Sequence, residues 1–292
     1  MIDFMCLIPN MIICLNLAIN EVENNNEIST YPNRPDIQID GQSWADIHES
    51  FSQELSNTAP HENLGDKTPR FTKPHGDYLY ARLKAVQTHC EREYDNLVTI
   101  WISLTAAEKV DNKWVHPLRH DDGFRSNSVK QALYRVRKRL DVEDWAGMWV
   151  MAPRKTGYSH KHYAIWLDAS EDYGIQDVRE ALPPVIDAHV RSHPTATYAG
   201  NPYEKAIQVR EGDECEGLPA EVARNLPEIG PGRGVPSPDV RSITNNWEYV
   251  RIWCALYWYD DRIRQYELGA FQEIAEEVKP EGEWKFGVGW VK

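Results

Sequence analysis

Gly157-Tyr158-Ser159-His160-Lys161-His162-Tyr163-Ala164-Ile165-Trp166-Leu167-Asp168 is the stretch on which the reading of this chain turns. Its β-branched and aromatic run predicts a strand. Alternate side chains of a strand share a face, so His160 and His162 stand side by side where the strand begins. Two imidazoles held on rigid backbone suit a divalent metal and leave open positions for water or a phosphate oxygen. Working backwards, Trp145 to Ala152 reads as a preceding strand and Pro153 to Gly157 as the turn of a hairpin, so the histidines open its second strand.

The elements around the hairpin alternate in type. Tyr78 to Arg92 has helical apolar spacing and feeds a strand at Val98 to Leu104. Ser128 to Leu140 carries Val129, Leu133, Val136 and Leu140 on one stripe after an N-cap at Asn127 or Ser128, and its other face is basic. Asp177 to His193 is helical but broken at Pro183 and Pro184. Ala206 to Arg210 is a short strand, Pro227 to Pro238 a loop, and Trp247 to Tyr266 a helix whose aromatics fill a core.

With 292 residues, 41% of them hydrophobic and 11% aromatic, the chain is globular. A formal charge of -13 argues against a nucleic-acid ligand, because Lys and Arg supply most of the affinity for phosphate. That charge is uneven. Arg125 to His162 holds nine Lys or Arg against three Asp or Glu, a basic strip on an acidic surface compatible with a nucleic-acid site on a protein adapted to high salt.

Cys6, Cys14, Cys90, Cys215 and Cys254 show no CxxC spacing, so neither a zinc knuckle nor a disulfide framework is indicated, which fits a cytoplasmic protein. Met1 to Asn20 is apolar but lacks a basic start and is broken by Asp3 and Pro9, so it reads as a leader rather than a membrane anchor. Residues 21 to 60 hold eight acidic residues and one basic and read as an acidic tail without fixed structure.

In this order the elements resemble the HUH endonucleases, the rolling-circle replication initiators (Rep proteins) of archaeal plasmids and viruses. The first motif is similar to Thr99-Ile100-Trp101-Ile102-Ser103-Leu104-Thr105-Ala106 and the second to Lys155-Thr156-Gly157-Tyr158-Ser159-His160-Lys161-His162; the likeness runs over residues 78 to 265. It implies an α+β fold of the HUH (ferredoxin or RRM-like) type, a central antiparallel sheet flanked by helices, with both histidines holding Mg or Mn on a middle strand. The implied division is a leader and acidic tail over 1–70, the nuclease-like domain over 71–230, and a linker with a C-terminal helical region packed on it over 231–292.

The implied activity is nicking and joining of single-stranded or hairpin origin DNA through a tyrosine, beside a host polymerase or helicase. By the resemblance Arg154, Lys155 and Lys161 contact DNA and Thr105 lies near the metal. The family's tyrosine helix corresponds to Leu218 to Pro227, which contains no tyrosine. The nucleophile is then Tyr203 or Tyr249, the nearest on either side, or the chain binds origin DNA without cutting it. A nuclease that activates water needs no tyrosine and is a third possibility.

Overall fold

The computed structural model describes residues 38–57, 73–154, 156–169, 172–224, 248–261, 265–278, 283–285 and 289–291. Its frame is a five-stranded, wholly antiparallel sheet. The strands are β3 (Leu97–Leu104), β6 (Trp145–Pro153), β7 (Ser159–Asp168), β8 (Ile207–Glu211) and β9 (Gln265–Gly269), in the order β8-β3-β7-β6-β9, and a separate small hairpin pairs β4 (Lys109–Val110) with β5 (Lys113–Trp114). Helices cover both faces, so the protein is α+β. The central strand β7 is the one that carries the histidines, and its neighbours β3 and β6 are also nearly all buried.

The β6–β7 hairpin closes on a tight turn. Arg154 N–H donates to the Tyr158 carbonyl at 2.8 Å and Gly157 N–H to the Arg154 carbonyl at 2.8 Å, with Gly157 at a φ of 79° that a side chain would disfavour. Register follows: Val150 faces His162 and Ala152 faces His160 across the pair.

Each face has its own apolar cluster. One joins Trp101, Met148, Val150, Ala164 and Trp166 of the sheet to Leu79, Leu83 and Val86 of a long helix, Lys73–Glu93, with further helices at Leu218–Arg224 and Phe271–Glu277. The other joins Ile100, Ile102, Tyr163, Ile165 and Leu167 to the basic helix Asn127–Arg139, the broken pair Ile175–Ala181 and Pro183–Ser192, and the aromatic helix Glu248–Tyr259. The basic helix begins one residue earlier than expected. Ser126 is its cap, with Oγ accepting from Ser128 N–H at 3.2 Å.

Two stretches differ from expectation. Residues 38 to 57, expected as part of a structureless tail, form a short hairpin, β1 (Gln38–Ile39) with β2 (Gln42–Ser43), and the helix Trp44–Asn57. Ser43 and Asp46 cap that helix reciprocally, and Ile47 and Phe51, one turn apart, are fully buried in the second cluster. The helix expected over Trp247 to Tyr266 stops at Tyr259, and the chain returns as edge strand β9. The region expected to be helical packing thus also completes the sheet. Residues 1–37 and the Pro227 to Pro238 loop lie outside the described residues.

Candidate functional site

The histidine pair sits on the face of β7 that looks toward the Lys73–Glu93 helix. Its ring centroids are 4.5 Å apart and the planes cross at 84°. Two neighbours on β3 fix His162. Ser103, directly opposite in register, places its Oγ 3.0 Å from Nδ1, and Trp101 stacks on the ring with centroids 4.5 Å apart at 20°. Ser103 lay inside the first motif, and its role follows from register alone, which the sequence does not print.

His160 is held near neutrality. Burial pushes its pKa down to about 4, and the Arg154 guanidinium pushes the same way, against a backbone contact at Ala152. A neutral imidazole is the form that binds metal. Its Nδ1 is buried without a hydrogen-bond partner of acceptable geometry, the kind of atom that a cation satisfies. His160 and His162 therefore fit as two donors. Among the described residues no group of three or more His, Cys, Asp or Glu is arranged to hold a metal ion, so the pair is without a third ligand of those types there.

Arg154 comes to this site. It pairs with Glu108 at 3.3 Å and donates to the Ala106 carbonyl at 3.2 Å, leaving its side chain 41% exposed beside an open cleft of about 690 Å³ lined also by Lys109, Trp114 and Thr156. Lys155 lies outside the described residues.

The remaining candidates have other contacts. Lys161 does not reach a phosphate at the histidine site, because strand alternation turns it to the opposite face, where it is 4% exposed. Its Nζ donates to the Phe124 carbonyl at 2.9 Å and lies 4.2 Å from the Trp149 ring centroid, and burial, then the Arg125 charge, pushes its pKa down to about 7. Thr105 ties loops together: its N–H donates to Asn201 Oδ1 at 2.7 Å and its hydroxyl to the Gly200 carbonyl at 2.7 Å.

Tyr203 donates from its hydroxyl to Asp187 at 2.7 Å, which raises its pKa to about 12. Asp187 belongs to the Pro183–Ser192 helix, packed on the face away from the histidines. Tyr249 lies in the first turn of the Glu248–Tyr259 helix, which packs on that same far face. The structure thus groups Arg154 with His160 and His162 and turns Tyr203 and Lys161 to the far face, while Thr105 directly follows Leu104, which pairs with Lys161 across the sheet. The Leu218–Arg224 helix does lie on the histidine face, without a tyrosine.

Two buried polar groupings escaped the sequence reading. Asp121, fully buried, accepts from Arg125 Nε at 2.7 Å, from Ser159 Oγ at 3.0 Å and from the Tyr257 hydroxyl, while Trp253 Nε1 donates to Ser159 Oγ at 3.0 Å. This network ties the start of β7 to the C-terminal aromatic helix. Nearby, His120, His189 and His193 surround Phe124, with His193 centroids 5.2 and 5.4 Å from the other two rings. His189 Nε2 lies 2.9 Å from the Thr105 carbonyl and His193 Nε2 2.9 Å from that of His120; carbonyls only accept, so these nitrogens carry the protons.

No helix among the described residues is long and apolar enough to cross a membrane. No solved structure matches the chain. An "Uncharacterized 36 kDa protein" of Halobacterium salinarum is 28% identical over 180 residues, a stretch covering 58% of this chain and 54% of that protein, so the similarity spans about half of the relative's length. A family model described as "Putative rep protein (DUF1424)" matches residues 38–222, which takes in the N-terminal helix, β3, the histidine strand and β8. On that match, the chain belongs to this Rep family.

Proposed function

We propose that this protein initiates DNA replication by the rolling-circle route, nicking and rejoining single-stranded DNA at a divalent cation, Mg or Mn, held by His160 and His162. The observation that carries the reading is the His-x-His pair on the central strand of a five-stranded antiparallel sheet, in a chain of a Rep family. A cation there would draw charge from a scissile phosphate oxygen. Ser103 and Trp101 hold His162 in place, and Arg154, half exposed beside His160, adds positive charge for the phosphate backbone.

In this reaction a tyrosine oxygen attacks phosphorus and gives up its proton. A phosphotyrosyl bond forms, the bond from phosphorus to the 3′ oxygen breaks, and that oxygen leaves as a hydroxyl after taking up a proton. The Lys73–Glu93 helix supports a different nucleophile from Tyr203 and Tyr249: it lies on the histidine face, and its Tyr80 is partly buried against the cluster of Trp101 and Val150.

A second reading is origin-DNA binding without cleavage. It is favoured by the absence of a tyrosine in Leu218–Arg224 and of a third His, Cys, Asp or Glu ligand among the described residues. Incubation with a labelled origin oligonucleotide and Mn, followed by denaturing electrophoresis, separates the readings. A covalent adduct that maps to one tyrosine by mass spectrometry supports nicking and joining; cleavage without adduct means hydrolysis by water, and retention without cleavage means a binder.

A further inference from the structure

The face of the sheet opposite the histidines carries a groove of about 820 Å³, within the size range of ligand clefts, between the start of the Asn127–Arg139 helix and strands β6 and β9. Its floor is aromatic. Trp149 and Tyr266, cross-strand partners, hold their rings within 18° of parallel with centroids 6.3 Å apart, and so form one platform. Tyr266 is 51% exposed and Tyr134, on the helix side, 57% exposed; both are among the few large apolar side chains that the described surface shows.

Cations surround this platform. Lys130 Nζ lies 6.0 Å from the Tyr266 centroid; Arg125, whose Nε pairs with Asp121 at 2.7 Å, lines the same groove, as does the buried Lys161, its Nζ 4.2 Å from the Trp149 centroid. The acidic residue in the lining, Glu267, is paired with Arg82 at 2.9 Å. On a chain of net charge -13, exposed rings beside the exposed Lys130 and the Arg125 guanidinium match a polyanion that carries flat bases. Duplex DNA hides its base faces, whereas unpaired DNA offers them.

We propose that this groove is a second DNA-contact surface, which seats a short run of unpaired nucleotides with bases on the Trp149–Tyr266 platform and phosphates beside Arg125 and Lys130. The proposal rests on the reading of the protein as a Rep acting on single-stranded DNA. It extends that reading to the face of the sheet away from the cleavage site.

The test is fluorescence anisotropy of a labelled oligothymidylate with the full chain, in chelator so that cation binding at the histidines plays no part. Tyr266→Ala combined with Lys130→Ala weakens binding roughly tenfold or more, the scale of a lost stacked base and a lost phosphate contact. Tyr266→Phe, which keeps the ring, restores most of it when Lys130 is intact. Both positions are exposed, so the fold survives, as circular dichroism checks.

Unchanged affinity in the double variant overturns the groove, as does equal competition by thymidine monophosphate and oligothymidylate at matched nucleotide concentration, which would mark a mononucleotide site. The outcome separates from that of the nicking reading. His160→Ala with His162→Ala leaves this binding within twofold, while adduct formation is scored on the unsubstituted groove. Adduct with an inert groove sinks only the present proposal, and a competent groove without adduct sinks only the nicking.

Discussion

Acidification from pH 7 to pH 5 strips stability from this fold through buried rings, two of them in the histidine cluster around Phe124. His120 and His189 are 0% and 1% exposed, and burial, the first cause for both, pushes their pKa values down to about 4; the His193 ring beside them acts the same way, while their bonds to the Ala106 and Thr105 carbonyls oppose it. Nδ1 of each is buried without a hydrogen-bond partner, so a proton placed there meets no acceptor. In the unfolded chain both titrate near 6.5. The unfolded state therefore takes up protons that the folded state refuses. The contribution to stability is whole above pH 6.5, declines as pH falls, and levels off below about 4. Between pH 7 and pH 5 the loss is about 2 kcal/mol per ring and ~4 kcal/mol for the pair, a large share of the stability of an ordinary domain. Urea unfolding followed by tryptophan fluorescence at pH 7, 6 and 5 measures it. His120→Gln with His189→Gln, which cannot ionise, removes their share and leaves that of His160, whose pKa burial also pushes down to about 4. A urea midpoint that holds constant from pH 7 to pH 5 in the native sequence would refute the account.

His160→Ala with His162→Ala abolishes metal-dependent cleavage and leaves the circular dichroism spectrum intact; undiminished cleavage removes the pair from the mechanism. Ser103→Ala loses the contact to His162 Nδ1 and weakens cation affinity about tenfold, read by calorimetric titration with Mn. Arg154→Ala with Lys155→Ala lowers the slope of log affinity against log salt by roughly one to two, and an unaltered slope takes both away from the DNA. Phe51→Ala destabilises the chain by about 3 kcal/mol in urea unfolding, because the ring is 1% exposed, whereas a structureless tail would show no change.

Legibility in the sequence followed the range of the interactions. The hairpin was readable because its signals are local: an apolar β-branched run, a glycine at positive φ and two histidines two apart. The same period of two assigns Lys161 to the other face, where its Nζ reaches the Phe124 carbonyl instead of DNA at the histidines. The Trp44–Asn57 helix was hidden by composition. Ile47 and Phe51 are four apart as an amphipathic helix requires, but they sit among acidic residues, and the helix they pack against, Glu248–Tyr259, lies some two hundred positions downstream. Tyr203 was proposed by proximity along the chain, which carries no information about which face of the sheet it meets. The histidine cluster left one trace, the spacing of His189 and His193 at i and i+4; its third member, His120, is contributed by a separate short helix, Pro117–Phe124.

One strand serves both candidate surfaces. Along β7 the side chains of His160 and His162 project to one face, and those of Lys161 and Tyr163 to the other, so the histidine site and the aromatic groove are separated by a single layer of backbone. Strand β9 is the sheet edge next to the groove: Tyr266 points into it, while Glu267, one residue on, is held by Arg82 of the helix that covers the histidine face. A DNA strand bound at both surfaces could pass from one to the other around that edge. The Arg82–Glu267 pair, 18% and 24% exposed, stands on such a path. Arg82→Ala would leave Glu267 without its cation beside that path. It should therefore weaken binding of oligonucleotides long enough to reach both faces, while leaving a short oligothymidylate that fills only the groove unaffected. Equal weakening at every length would place the whole DNA footprint on one side of the sheet.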